Sequence, residues 1–241
     1  MQSKWKLNLL IVFNVFLCVV LCFGIFFLTK RANKNYSNTP IDNMTLIEIP
    51  NICQYPTLPT GCEVTAATMV LQFYGEKISI ENFARNWLVC DDRFYQANNM
   101  LYGPDPHKVF VGSPFTKSSY GCYAVPIVNA INNNSSVCKA EVITGKTIEE
   151  LCDLFIDNNA PIIIWATMGM KPSEDGTRWS TDNNREIVWK SGEHSLVLVG
   201  YDDKHYFLVD PQSGSVVGYE KHIVEKRFSE LGMQAILVQK R

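Results

Sequence analysis

Residues 54–75, QYPTLPTGCEVTAATMVLQFYG, carry the reading from which the rest of the chain follows. Pro56, Pro59 and Gly61 interrupt regular structure and deliver the backbone into an amphipathic helix over 62–74. Val64, Ala67, Val70 and Leu71 share one face of that helix, and Gly75 supplies its stop. Cys62 therefore sits on the first helical turn. A helix N-terminus carries roughly half a positive charge in unpaired N–H groups, which favours a thiolate, and cysteine reactivity follows thiolate population. Gly61 leaves room for a substrate carbonyl to approach the backbone. On this segment alone, Cys62 reads equally well as a small buried residue.

A cysteine nucleophile needs a base, and the base needs an orienting acceptor. The chain has four histidines: His107, His194, His205 and His222. His194 opens the apolar run SLVLVGY, and Asp210 closes the next strand-like run, HYFLVD. Asp202, Asp203 and Lys204 make a turn between them by composition. An antiparallel hairpin folded at 202 places 194 and 210 opposite one another, where cross-strand Cβ atoms stand ~5 Å apart. A slip of one residue would undo this. The bland readings are a satisfied core histidine and a turn aspartate before Pro211. Of the rivals, His205 abuts the turn, His107 lies in the loop GPDPHK, and His222 falls on a solvated helix face.

The remaining elements alternate less clearly. Leu46 to Ile49 reads as a short strand ended by Pro50. Ser79 caps a helix to about Leu88, Cys122 to Asn132 reads as another, and Thr147 with Glu150 makes a capping box for 148–158. Then 161–168, 185–190, 194–201, 205–210 and 234–239 are strand-like, with a helix over 223–231. Helices first and strands later predict an α+β fold, a helical half packed on an antiparallel sheet. The polar stretch 171–185 reads as a surface hairpin or flap, and Trp165, Trp179 and Trp189 as core, with one aromatic available to wall a cleft.

Residues 7–28, LNLLIVFNVFLCVVLCFGIFFL, are uncharged and long enough to span a bilayer as a helix, which needs about 20 apolar residues. We read 1–30 as an uncleaved signal-anchor, 31–45 as a polar tether and 46–241 as one domain. The competing reading is a cleaved signal with Cys22 and Gly24 before the cut, which would release a secreted protein. Against it, the apolar run continues through Leu28. The simplest orientation leaves a short cytoplasmic stub and an exported domain at the cell membrane. The whole chain of 241 residues is near neutral, with 22 basic and 24 acidic residues. Three of the basic residues precede Arg31, so the exported part is mildly acidic. That balance excludes a generic nucleic-acid binder.

These residues resemble bacterial papain-like cysteine peptidases related to the bacteriocin double-glycine leader-processing family. The matching stretches are the Gln54 segment, LPTGCEVTAATMVLQFYG and EHSLVLVGYDD with FLVDP; MLYGPDPHKVFVGSPF, YGCYAVPIVNAIN and DNNAPIIIWATMGM are also similar. The resemblance implies a papain-like fold over 46–240, Cys62 as nucleophile, His194 as general base, Asp210 as its orienting acceptor and Gln54 as side-chain oxyanion donor. Two departures stand out. Gln54 lies eight residues before Cys62, where the leader-processing enzymes have six, and Glu63 stands where they usually have glycine. No ABC-transporter portion accompanies the domain, so leader cleavage is not implied.

No cofactor or metal is expected, since the chain lacks C-x-x-C and H-x-x-x-H spacings and a glycine-rich phosphate loop. Cys53, Cys90, Cys122, Cys138 and Cys152 could form at most two disulfides within one chain. The leading expectation is a membrane-anchored exported thiol peptidase acting on peptide or protein through a thioester. The alternatives are an amidase or transpeptidase acting on cell-wall peptide, and a non-catalytic surface binding or immunity module.

Overall fold

The computed structural model describes residues 44–241. The apolar span 7–28, the proposed anchor, and most of the 31–45 tether lie outside the described residues. Among the described residues, no helix is long and apolar enough to cross a membrane.

Two strands form the centre: β7 (Ile162–Thr167) and β10 (Glu193–Tyr201). Every residue of β7 is buried, as is β10 from Glu193 to Gly200. Such unbroken runs belong to strands covered on both faces. Helix α1 (Cys62–Phe73) packs on β10 and β7. The C-terminal helix Lys221–Glu230 packs on β7 and on the two strands beyond β10, β11 (His205–Asp210) and β12 (Ser215–Glu220). With β13 (Ala235–Lys240) and β6 (Cys138–Val142) the antiparallel order is β12-β11-β10-β7-β13-β6. The short β1 (Thr45–Leu46) pairs with the far end of β10 at Gly200 and Tyr201. The expected α+β class, helices on an antiparallel sheet, is what the chain forms.

Local chemistry explains several boundaries. Ser79 accepts the Asn82 amide at 3.2 Å, as a cap should, but the helix it starts closes after Asn82 into a π-helical turn over Phe83–Trp87. The Thr147–Glu150 capping box forms at both ends, 3.1 and 2.7 Å. Its helix stops at Leu154, and a 3-10 turn, Ile156–Asn158, finishes the segment. The stretch 171–185 supplies one strand and the turn of a hairpin: β8 (Glu174–Ser180) pairs with β9 (Glu186–Ser191), the strand expected at 185–190. Through β8 it joins β4 (Met100–Tyr102) and β3 (Tyr95–Ala97) as a second sheet, while β2 (Cys90–Asp91) and β5 (Phe110–Val111) pair in parallel by themselves. Neither β6 nor β12 is expected from the sequence.

The β10–β11 register corrects one expectation. Val197 faces Val209 and Leu198 faces Leu208, with a bulge before Gly200. Continued along the ladder, that count sets Asp210 across from Leu196, two residues from His194. A two-residue shift preserves the face, because side chains alternate with period two. His194 and Asp210 are therefore diagonal neighbours, still within reach of an imidazole and a carboxyl.

Candidate active site

The sheet brings the histidine and the aspartate together. His194 is 1% exposed and Asp210 7%, and His194 Nε2 lies 2.8 Å from Asp210 Oδ1. The same carboxylate oxygen accepts the Gln212 amide at 2.8 Å. Burial works to raise the Asp210 carboxyl. The hydrogen bond and charge of His194, with the Gln212 amide, overcome it and hold Asp210 below its usual range. With Nε2 turned to Asp210, Nδ1 is the ring nitrogen left for another partner. His205, half-buried, pairs instead with Asp202 in the turn, and His222 is exposed beside Glu220.

Cys62 opens α1, as the sequence predicts, with Gly61 as its N-cap residue. A Cβ at Gly61 would stand 2.7 Å from Leu58 Cβ and 3.2 Å from Pro114 Cβ, so the glycine serves the packing of two loops. Cys62 and His194 both line a cleft of about 450 Å³, together with Gln54, Tyr120, Trp189 and Glu193. Trp165, by contrast, is core, its indole N–H donating to the Cys122 carbonyl at 3.0 Å.

The expectation of a thiolate favoured by the helix N-terminus is not met. Burial pushes the Cys62 thiol well up, and the nearby carboxylates of Glu63 and Glu193 push it further; the Ser195 backbone amide pulls the other way. The thiol donates to Glu63 Oε2 at 3.3 Å. A partial charge at a helix end cannot outweigh loss of hydration beside two acidic groups. Sequence reasoning took Glu63 as a mere departure and missed Glu193. The available signal was their placement, one residue from Cys62 and one residue from His194.

Gln54 is 2% exposed and borders the cleft. Its backbone amide donates to the Pro211 carbonyl at 2.8 Å, tying its loop to the turn that carries Asp210. Both side-chain amide hydrogens are engaged, donating to the carbonyls of Leu58 at 3.1 Å and Pro59 at 3.0 Å, while Oε1 has no partner. Cys53, Cys62, Cys90, Cys122, Cys138 and Cys152 are all free thiols.

A helix-opening cysteine sharing one cleft with a sheet-borne histidine that a buried aspartate holds, in an α+β domain, is the architecture of papain-like cysteine peptidases. The chain belongs more narrowly to the Peptidase_C39 like family, whose pattern it matches over residues 46–236. It is 31% identical over 213 residues to the uncharacterized protein YvpB of Bacillus subtilis (strain 168), covering 88% of this chain and 80% of that one. A crystal structure from Bacillus anthracis assigned to the C39-like peptidases superposes with a TM-score of 0.71 at 30% identity. That match covers 81% of this chain and 98% of the other. At the level of the family, the domain is a cysteine peptidase.

Proposed function

We propose that the chain is a membrane-anchored, exported cysteine peptidase that cleaves peptide bonds through Cys62, His194 and Asp210. One observation carries the reading: His194, held by the buried Asp210 at 2.8 Å, lines the same cleft that Cys62 borders from the first turn of α1. Asp210 holds the imidazole with Nε2–H toward it, which leaves Nδ1 unprotonated as a base. His194 Nδ1 takes the thiol proton, and Cys62 Sγ attacks the peptide carbonyl carbon. The carbonyl oxygen becomes an oxyanion, then reforms its double bond as the amine departs with the proton from His194. Water, deprotonated by the same nitrogen, cleaves the thioester and returns the thiol. The cleft is a fitting place for an extended peptide, with Tyr120 and Trp189 as an apolar wall. Membrane attachment rests on the uncharged span 7–28.

Incubating the full chain with a peptide library, and mapping new termini by mass spectrometry, tests the reaction. New N-termini that form with wild type and not with Cys62→Ala are expected. Uncut peptides, or equal cutting by the variant, would overturn the reading. Adding cell-wall peptide in parallel separates peptidase from amidase action.

The Cys62 backbone N–H and the Gln54 side chain are the proposed oxyanion donors. In the resting site the Gln54 amide is committed to Leu58 and Pro59, so serving an oxyanion means exchanging one of those carbonyls for it. Gln54→Ala should lower kcat by roughly 10²–10³-fold with little change in KM. A loss confined to KM would remove Gln54 from that role.

A further inference from the structure

The proposed reaction leaves two buried carboxyls unused. Glu63 follows Cys62 on α1 and Glu193 precedes His194 on β10, at 0% and 6% exposure. An oxygen of each lies within 4.8 Å of the other and of Cys62 Sγ. The two side chains meet over the bare backbone of Gly121, where a Cβ would stand 2.4 Å from Glu63 Oε1 and 3.3 Å from Glu193 Oε2. Glu63 is fully engaged, accepting the Cys122 amide at 2.7 Å through Oε1 and the Cys62 thiol at 3.3 Å through Oε2. Glu193 Oε1 has no partner.

Nothing positive answers them. Among the described residues neither carboxyl forms an ion pair with a lysine, arginine or histidine. The polar groups within electrostatic reach of the pair are the thiol of Cys62 from α1, Cys90 from the strand Cys90–Asp91, Cys122 and Tyr123 from the loop before Ala124, and the Trp165 indole from β7. His194, next on β10, spends Nε2 on Asp210. Two carboxylates this close, out of water and with no basic side chain paired to either, do not both ionise at neutral pH; one of them keeps a proton.

We propose that Glu63 and Glu193 are a proton-sharing pair that positions the Cys62 thiol at rest and gates its ionisation. The two are positioning residues, and the inference rests on reading Cys62 as the nucleophile. The pair with one proton bears one negative charge, and a thiolate beside it would be a second. The resting thiol is therefore held protonated on Glu63 and gives up its proton only where His194 receives it. The direction of each titration agrees. Burial raises Glu63 to about 7 and Glu193 well above the carboxylate range, and the charge of Glu63 lifts Glu193 further.

The test is the pH profile of Cys62 alkylation by iodoacetamide in the full chain, with the adduct quantified at Cys62 by peptide mapping so that Cys53 and Cys90 do not contribute. Wild type should show a shallow curve with its midpoint above the free-thiol value of ~8.5, because the pair loses its proton as the thiol does. Glu63→Gln and Glu193→Gln each remove a like charge, so each should lower the midpoint by about one pH unit or more and sharpen the curve. At neutral pH that is about tenfold faster labelling. Glu193→Gln carries the test if Glu63→Gln does not fold, since Glu193 Oε1 holds no hydrogen bond to lose. Midpoints within about 0.3 of wild type, with or without lower thermal stability, would overturn the pair. Peptide hydrolysis assayed alongside keeps the two readings apart. A shifted midpoint in a chain that hydrolyses nothing leaves the pair and removes the peptidase; coincident midpoints in an active chain do the reverse.

Discussion

Cys62→Ala and His194→Ala should each reduce kcat/KM for peptide hydrolysis by about 10⁵-fold or more, and the double variant should lose little beyond either single one. Groups that act as one unit are strongly non-additive: without the sulfur no thioester forms, and without the imidazole the thiol has no acceptor for its proton. The missing acceptor matters more here than beside a preformed thiolate. Burial, Glu63 and Glu193 hold the Cys62 thiol in its protonated form, so the attacking species must be generated in each turnover. Asp210→Asn should have a smaller effect, up to about 10⁴-fold, because it spoils the tautomer and orientation of the ring without removing it. Steady-state kinetics on a peptide found by terminus mapping measures all four. Cys62→Ala removes a single buried atom, so an unchanged melting temperature is the control. Multiplicative losses in the double variant would mean that the two residues do not share a step, and the proposed couple would fail.

The placement of Cys62 and His194 on one cleft was legible for identifiable reasons. Prolines and a glycine feeding an amphipathic helix mark Cys62 before any fold is known, and two apolar runs around an acidic turn mark a hairpin with His194 and Asp210 at its open end. The register itself was misplaced by two residues: the hairpin turns between Tyr201 and Tyr206, beyond the expected centre at 202, which alone offsets the pairing by three, and the bulge between Leu198 and Gly200 takes one of these back. That error was harmless because an even shift keeps the face; an odd one would have parted the ring from the carboxyl. The edge strand β12 was missed because SVVGYE, part-exposed along its length, has neither a continuous apolar run nor a clean alternation. The Glu63–Glu193 meeting lies beyond local pattern altogether. The two are 130 residues apart, and each reads as an ordinary charge, one in a first helical turn and one at a strand start. Only the docking of α1 against β10 shuts both away from water. The same docking reverses the expectation for the thiol, because a helix-end partial charge is small beside the penalty of desolvation.

The buried carboxyl also leaves a mark on stability that needs no substrate. Glu63 rises from 4.5 to about 7 on folding, chiefly through burial. A raised acid binds its proton more tightly in the folded state, so its stabilising contribution is fully present below about pH 4.5 and is lost as pH climbs through about 7. The full effect is on the order of 3 kcal/mol, or roughly 6–12 °C in melting temperature for a domain of this size. Glu193, raised further, extends the decline to higher pH. Asp210 acts in the opposite sense: its depressed carboxyl contributes above the ordinary aspartate range and is lost only as pH falls through its lowered value. The two windows lie on opposite sides of pH 4, so the thermal stability of wild type should peak in mildly acidic buffer. Glu63→Gln keeps an acceptor for the Cys122 amide and removes the titration, so its melting temperature should fall much less than that of wild type between about pH 5 and 8. Melting curves that run parallel for the two proteins across that window would show that Glu63 is ionised in the folded chain at acid pH, and the dry, proton-holding site beside Cys62 would have to be abandoned.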